Sequence, residues 1–238
     1  MAEQDPRPVR SASLDDKYTT ESGRVYLTGY QALVRLLMIQ RERDRAAGLN
    51  TAGFVSGYRG SPLGGLDLSL WKAADHLAEH DIVFQPGINE DLAATAVWGT
   101  QMMHTVGKQK FDGVTGMWYG KAPGVDRSGD ALKHANYTGI GKNGGVLAIV
   151  GDDPSCKSSS LASQSEPMLF HVGMPSLYPA NVQEILDLGL HGYNMSRLAG
   201  LWVGMKIVTN VADGTGTANI DPSRLNFVTP DLMFDGQK

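Results

Sequence analysis

The sequence predicts an α/β fold, built on a doubly wound and mainly parallel sheet of about six strands with helices on both faces. Short apolar segments alternate with segments of helical periodicity along most of the chain. One apolar segment, GVLAIVG at 145–151, carries no charge, as is typical of a strand covered on both sides. The chain has 238 residues and is 42% hydrophobic, which is enough to bury the core of one large domain.

The predicted strands and helices alternate in chain order. Strands are predicted at 51–56, 82–84, 113–118, 145–151 and 201–209, with a further short strand within 169–178. Helices are predicted after Thr28, through Leu70 and Leu77, after Asn89, near 128–138, and over 181–200. Because successive parallel strands are joined by right-handed crossovers, this order predicts a sheet with helices on both faces.

The two ends of the chain differ from the part between them. Residues 1–22 are polar and are predicted to form a flexible tail, residues 23–212 form the domain, and residues 213–238 begin a linker to a missing downstream domain. The chain shows no secretory signal and no apolar run of membrane-spanning length. With Cys156 as the single cysteine, this predicts a cytoplasmic protein without a membrane partner. The net charge of −4 argues against a nucleic-acid partner.

Candidate site residues lie in the loops after the predicted strands, because ligands of doubly wound sheets bind beyond the carboxyl ends of the strands. The first loop, SGYRGSPLGG at 56–65, contains Arg59, whose paired N–H donors suit a carboxylate or a phosphate. The loop at 119–130 contains Lys121 and Arg127 among glycines, which also suits an anion. Solvated side chains on tight turns explain these cations equally well, so both interpretations stay open.

Acidic residues follow two other predicted strands. Glu90 and Asp91 stand at the start of a helix, where the helix dipole favours acids, so their local pattern is that of an ordinary helix start. Asp152 and Asp153 suit a polar ligand, or simply an Asp-Pro turn. No histidine has ligand spacing and one cysteine cannot build a cysteine site, so no metal site is predicted in this chain.

A glycine motif, GIGKNGG at 139–145, contains G-x-G-x-x-G. The dinucleotide fingerprint follows a strand and opens a helix, whereas this motif ends a predicted helix and precedes a strand. A nucleotide-binding function of the Rossmann type is therefore disfavoured.

Four segments in this order resemble one family. They resemble segments of the pyrimidine-binding domain of the 2-oxoacid:ferredoxin oxidoreductases. The four segments are GYRGSP after the first strand, NED after the second, GDDPSCKSSS after the fourth, and MPSLYPANVQE at 174–184. The resemblance is greatest to the indolepyruvate ferredoxin oxidoreductases and covers residues from about 25 to about 212. It implies the thiamine diphosphate-binding fold, and an activity that decarboxylates a 2-oxo acid oxidatively to acyl-CoA, with ferredoxin as electron acceptor.

The resemblance also implies roles for individual residues. Glu90 would be the catalytic glutamate that hydrogen-bonds N1′ of the aminopyrimidine ring, leaving Asp91 as a plain first-turn acid. Further cofactor contacts would come from the loops after the first and fourth strands, at Gly57, Pro62, Asp152 and Ser158. The substrate carboxylate would be bound by Arg59 and Ser61, or by Arg127, for which coenzyme A is the other candidate ligand. Arg59 and Ser61 depart from the commoner Tyr-x-x-Thr-Pro pattern of the family, which leaves their specific contact open.

Two motifs of the complete enzymes do not occur in this sequence. It contains no G-D-G…N segment, which binds Mg²⁺ and the cofactor's diphosphate, and no C-x-x-C-x-x-C motif for iron–sulfur clusters. The expectation is a fragment or component that is inactive alone, needs a diphosphate-binding domain or subunit, and forms a homodimer. A non-catalytic regulatory module that keeps the fold is the alternative; the retained Glu90 favours the enzyme.

Overall fold

The computed structural model of the protein describes residues 12–157, 159–228 and residue 230. A six-stranded parallel sheet forms its centre, with the strand order β3-β2-β4-β5-β7-β6. The strands of this sheet are β2 (Ala52–Gly57), β3 (Ile82–Phe84), β4 (Val114–Lys121), β5 (Gly145–Asp152), β6 (Ser176–Leu177) and β7 (Trp202–Val208). The predicted fold class, a doubly wound parallel sheet of about six strands, is confirmed.

Ten helices accompany the strands within the described residues. They are α1 (Asp16–Thr19), α2 (Gly29–Ala46), α3 (Leu66–Lys72), α4 (Ala74–Glu79), α5 (Glu90–Gln101), α6 (Ala122–Arg127), α7 (Gly129–Thr138), α8 (Glu166–His171), α9 (Val182–Ala199) and α10 (Thr209–Ala212). Helices α2, α3, α4 and α9 pack on one face of the sheet, and α5 to α8 pack on the other. In this part of the chain, no helix combines the length and apolar character that a membrane crossing needs.

Alternate residues of the central strands supply the two cores. On β4, Met117 and Tyr119 point into the core beneath α2 and α9, whereas Trp118 points into the core beneath α5 and α7. Every residue of β5 is buried. This explains the charge-free segment in the sequence, since a central parallel strand covered by helices meets apolar surroundings on both faces.

The sheet has a topological switch point between β2 and β4. From β2 the chain passes to β3 on one side, and after α5 it returns to β4 on the other side of β2. The carboxyl ends of β2 and β4 are therefore adjacent, while the connections that leave them diverge. In open α/β sheets this crevice is the usual ligand site.

Both chain ends carry structure that the sequence pattern did not predict. Residues 215–219, in the segment predicted as a linker, form strand β8 (Thr215–Asn219), which pairs antiparallel with β1 (Arg24–Thr28). Tyr18, in the segment predicted as a tail, is buried and lies in α1. Its carbonyl oxygen, and that of Thr20, accept hydrogen bonds from the buried guanidinium of Arg35. Short elements of this kind have too few residues to show a periodicity.

The predicted strands differ from the observed ones mainly at their ends. Strand β4 continues to Lys121 and β5 continues to Asp152, so residues predicted to lie in loops belong to strand ends. Within 169–178 the only strand is the two-residue β6, and residues 166–171 form a helix. Strand ends at a ligand edge carry polar residues and glycines, which hide them from a hydrophobicity pattern.

Candidate functional site

Helix α5 places Glu90 at the switch point. The side chain of Asn89 accepts a hydrogen bond from the backbone N–H of Leu92 and fixes the start of the helix at Glu90. Trp118, fully buried on β4, donates its indole N–H to the backbone oxygen of Glu90 at 3.0 Å. The helix cap and the tryptophan together hold the glutamate backbone against the central strand.

The Glu90 side chain packs against two glycines. The residue is 6% exposed. A Cβ atom on Gly124 would lie 2.6 Å from Cγ and from Oε1 of Glu90, and one on Gly120 would lie 3.4 Å from Cγ. Among the described residues, no hydrogen bond or ion pair to the Glu90 carboxylate is found. A nearly buried carboxylate without a protein partner is unusual, because carboxylates in protein interiors are normally paired or hydrogen-bonded.

The loop after β2 crosses the carboxyl edge of the sheet. Pro62 and Leu63 pack on Gly151 near the end of β5, where a Cβ atom would lie 2.8 Å from Cγ of Leu63. Gly60 packs on the side chain of Lys121, with its hypothetical Cβ atom 2.9 Å from Cδ of the lysine. Gly57 is buried against Tyr119, so its lack of a side chain is required for the strand pairing.

Arg59 lies near a buried acid–phenol pair beneath this loop. The Tyr119 hydroxyl donates a hydrogen bond to Oδ1 of Asp67 at 2.5 Å, and both residues are buried. Burial raises the pKa of Asp67, against the opposing effects of the Tyr119 hydrogen bond and the Arg59 charge. Burial and the Asp67 carboxyl also raise the pKa of Tyr119. The pair supports the loop from below, and the exposed Arg59 side chain stands over it.

The loop after β5 is organised by its two aspartates. Asp152, 1% exposed, accepts hydrogen bonds from the backbone N–H and the hydroxyl of Ser165, and Lys206 lies 3.4 Å from its Oδ2. Asp153 accepts hydrogen bonds from backbone N–H groups of the same loop, including that of Ser159. The hydroxyl of Ser159 in turn lies 3.5 Å from the carbonyl oxygen of Ser61. This loop therefore meets the loop after β2.

The predicted site residues are thus brought to one edge of the sheet, with one separated from the rest. Gly57 and Asp152 end strands β2 and β5, and Ser61 and Pro62 lie in the loop after β2, which meets the loop after β5. Arg127 forms an ion pair with Asp91 at 3.2 Å on the outer surface of α5 and α6, with side chains 55% and 39% exposed. Ser158 lies outside the described residues.

The sequence pattern missed the residues that hold Glu90. These residues are Trp118 and Gly120 on β4 and Gly124 on α6. The one feature of the sequence that could have pointed to them is a large aromatic residue close to two glycines. The pairing of Asp67 with Tyr119 had no signal either, since 52 residues separate the two in sequence. Contacts between distant segments depend on strand order, which the sequence pattern does not fix.

Comparisons with known proteins find similar subunits of indolepyruvate oxidoreductase. No model of a protein family matches the chain. Subunit IorA of indolepyruvate oxidoreductase from Methanothermobacter marburgensis is 26% identical over 212 residues, which are 89% of this chain and 30% of that subunit. The IorA subunit from Pyrococcus abyssi is 25% identical over 78% of this chain and 25% of that subunit.

A solved structure has the same fold. The 2-oxoglutarate:ferredoxin oxidoreductase of Magnetococcus marinus, with 2-oxoglutarate, coenzyme A and succinyl-CoA bound, superposes with a TM-score of 0.60 and 17% identity. The match covers 90% of this chain and 34% of that protein. The fold is that of the oxidoreductases with a thiamine diphosphate pyrimidine-binding domain. Together with the sequence relatives, this match supports the indolepyruvate ferredoxin oxidoreductase family, among the 2-oxoacid:ferredoxin oxidoreductases. The chain spans about a third or less of these relatives' length.

Proposed function

We propose that this chain is the pyrimidine-binding portion of a thiamine diphosphate-dependent 2-oxoacid ferredoxin oxidoreductase. The proposed substrate is a 2-oxo acid, and indolepyruvate is the candidate. The proposal rests on the carboxylate of Glu90, which is nearly buried at the switch point and has no partner among the described residues. A module that kept only the fold would have no need for an acid in this position, because an unpaired buried carboxylate is destabilising.

The residues around Glu90 fit an aromatic ring with a ring nitrogen. Gly120 and Gly124 have no side chains, so β4 and α6 leave space beside the Glu90 side chain. A carboxyl group that faces a ring nitrogen at hydrogen-bond distance can share a proton with it. Thiamine diphosphate, when bound, would supply the nucleophilic carbon and the electron sink for the loss of CO₂.

The chain's own residues would position the cofactor and the substrate, and one of them would exchange a proton with the cofactor. Glu90 would hold a proton between its carboxylate and N1′ of the aminopyrimidine, while Trp118 keeps the glutamate backbone in place. Gly57, Pro62, Asp152 and Ser158 would shape the cofactor side of the edge, and Arg59 and Ser61 the substrate side. Arg127, bound to Asp91 on the surface, would stand further out, where coenzyme A or a neighbouring domain can be contacted.

The rest of the active site would come from other domains. A diphosphate-binding domain or subunit would bind Mg²⁺ and the cofactor's diphosphate, iron–sulfur clusters elsewhere would carry electrons to ferredoxin, and coenzyme A would accept the acyl group. A homodimer is part of this proposal, because thiamine sites commonly lie between two chains. The size difference from the relatives supports this division, since they are about three times as long as the matched region.

The test is activity of the complete assembly with Glu90→Gln. Ferredoxin reduction with indolepyruvate and coenzyme A should fall by about 10²-fold or more, because a general acid–base group is removed while its size is kept. Asp91→Asn, one residue along the same helix turn, is the matched control and should stay within about threefold of the wild type. Glu90→Gln with near-normal activity would contradict the proposed role.

A further inference from the structure

Lys121 stands apart from the other partly buried cations of the domain. Most of them are held by carboxylates or carbonyl oxygens; the ion pairs include Arg35–Glu42, Arg41–Asp81, Arg197–Asp44, Arg224–Asp187 and Lys206–Glu166. Lys121 is half-buried, yet no hydrogen bond, ion pair or ring contact of its ammonium group exists within the described part of the chain. An ammonium group without a counter-charge favours the binding of an anion.

The lysine stands at the end of β4, between the two halves of the candidate site. Its aliphatic stem lies on Gly60, where a Cβ atom would be 2.9 Å from Cδ and 3.2 Å from Cγ. The preceding residue, Gly120, touches Glu90 on the opposite face of the sheet. Arg59, next to Gly60, forms no ion pair among the described residues either. Two cations therefore flank the switch point: Lys121, and Arg59, whose charge also acts on the Asp67 carboxyl beneath the loop.

We propose that Lys121, together with Arg59, binds the carboxylate of the 2-oxo acid substrate. This proposal rests on the proposed function. Arg127, from the same region after β4, was the earlier candidate for binding the substrate carboxylate, and the proposal gives that role to Lys121 instead. Arg127 is more than half exposed and already neutralised by Asp91, so it has less to offer a small anion at the centre. Lys121 follows Gly120 at the end of β4, so its side chain belongs to the same carboxyl edge of the sheet as Glu90.

Oxalate is the probe for this subsite, because it presents a carboxylate beside a second carbonyl group, as a 2-oxo acid does. The 238-residue chain should bind oxalate saturably in a calorimetric or NMR titration. Lys121→Met keeps the aliphatic stem on Gly60 and should weaken oxalate binding about tenfold, the effect of one lost charge-assisted hydrogen bond. Lys121→Arg should restore most of it. The exposed Lys142, before β5 at the other edge of the sheet, gives the control Lys142→Met, which should bind like the wild type.

Other outcomes would overturn the assignment. If the wild-type chain bound no oxalate, or if Lys142→Met weakened binding as much as Lys121→Met, Lys121 would not form a specific subsite. If Lys121→Met lost inorganic diphosphate and kept oxalate, the ligand would be a phosphate group. In the complete assembly, Lys121→Met should raise KM for the 2-oxo acid about tenfold and leave the Kd of thiamine diphosphate unchanged. If the wild-type assembly did not bind thiamine diphosphate, the proposed function itself would be refuted, whether or not the chain binds oxalate.

Discussion

The position of the Glu90 carboxylate depends on two glycines that contribute no side chain. Gly124 lies on α6 and Gly120 on β4, and both leave space that a Cβ atom would fill. The backbone of Glu90 is fixed by Asn89 and Trp118, so its side chain has few ways to move aside. The volume of residue 124 should therefore control the position of the acid.

Gly124→Ala tests this control. The new Cβ atom would lie 2.6 Å from Oε1 of Glu90, so the carboxylate must shift, and thiamine-dependent activity of the assembly should fall by about tenfold or more. The free energy of unfolding, measured by denaturant titration, should fall by at most about 3 kcal/mol. Gly99→Ala on α5 meets no atom within 4 Å and should keep activity while stabilising the helix by up to about 1 kcal/mol. Unchanged activity in Gly124→Ala would show that the glutamate does not need this space.

The ion pairs of Asp81 make the stability of the folded protein depend on pH. Asp81 accepts hydrogen bonds from Arg41 at 2.9 Å and Arg45 at 3.2 Å. The hydrogen bond from Arg41, more than the charges, lowers the pKa of Asp81 below its ordinary 3.8. The stabilising effect is thus complete above pH 3.8 and is lost as the pH falls through the lowered folded-state pKa.

Asp81→Asn isolates this effect. Asparagine tolerates the positive φ of 56° at this position, so the backbone should be kept. At pH 7 the variant should be less stable by about 1 kcal/mol, given that the carboxylate is 38% exposed and screened by water. Guanidinium unfolding at pH 7 and at pH 3 measures the difference, which should narrow at the lower pH. A difference that grew on acidification would mean that the pKa of Asp81 is raised in the folded protein.

The ends of helices α2 and α9 are joined by an ion pair whose carboxylate is buried. Arg197 on α9 donates two hydrogen bonds to the carboxylate of Asp44 on α2, at 2.6 and 2.8 Å. Asp44 is buried, and Gln40 and Thr51 also donate to it. All these interactions lie at the edge of the sheet opposite the candidate site.

Arg197→Met should destabilise the domain by about 3–5 kcal/mol, because it leaves the buried Asp44 carboxylate without its cation. The control is Arg127→Met, which removes the exposed ion pair with Asp91 and should change stability by about 1 kcal/mol or less. Thermal unfolding of the two variants under the same conditions gives the comparison. Equal losses would show that the Asp44 pair is as weak as a surface pair.

Among the elements, those with a full apolar period could be predicted from the sequence. Strand β5 and helix α9 were predicted within one or two residues, because eight buried positions and an N-cap at Asn181 leave a clear pattern. The antiparallel pair β1–β8 was not, because both strands are only five residues long, and β8, TGTAN, has few apolar side chains. The end of β4 was missed for the same reason, although it carries Gly120 and Lys121.

In the whole molecule, the loops of the candidate site come from strands far apart in sequence. The loop positions could be predicted, because each follows an apolar segment at the carboxyl edge. The contacts could not, because they depend on the strand order: β2 lies beside β4, and Gly60 meets Lys121 as a result. The role of Glu90 came from the resemblance and not from its local pattern, which is that of any helix start.

The central claim is that Glu90 shares a proton with the cofactor's aminopyrimidine ring. The most direct measurement is deuterium exchange at thiazolium C2 of thiamine diphosphate bound to the complete assembly, followed by NMR after rapid quenching. The exchange rate should fall by about 10²-fold or more in Glu90→Gln and stay near the wild-type value in Asp91→Asn, with cofactor bound in both. Equal exchange rates in Glu90→Gln and the wild type would contradict the role assigned to Glu90.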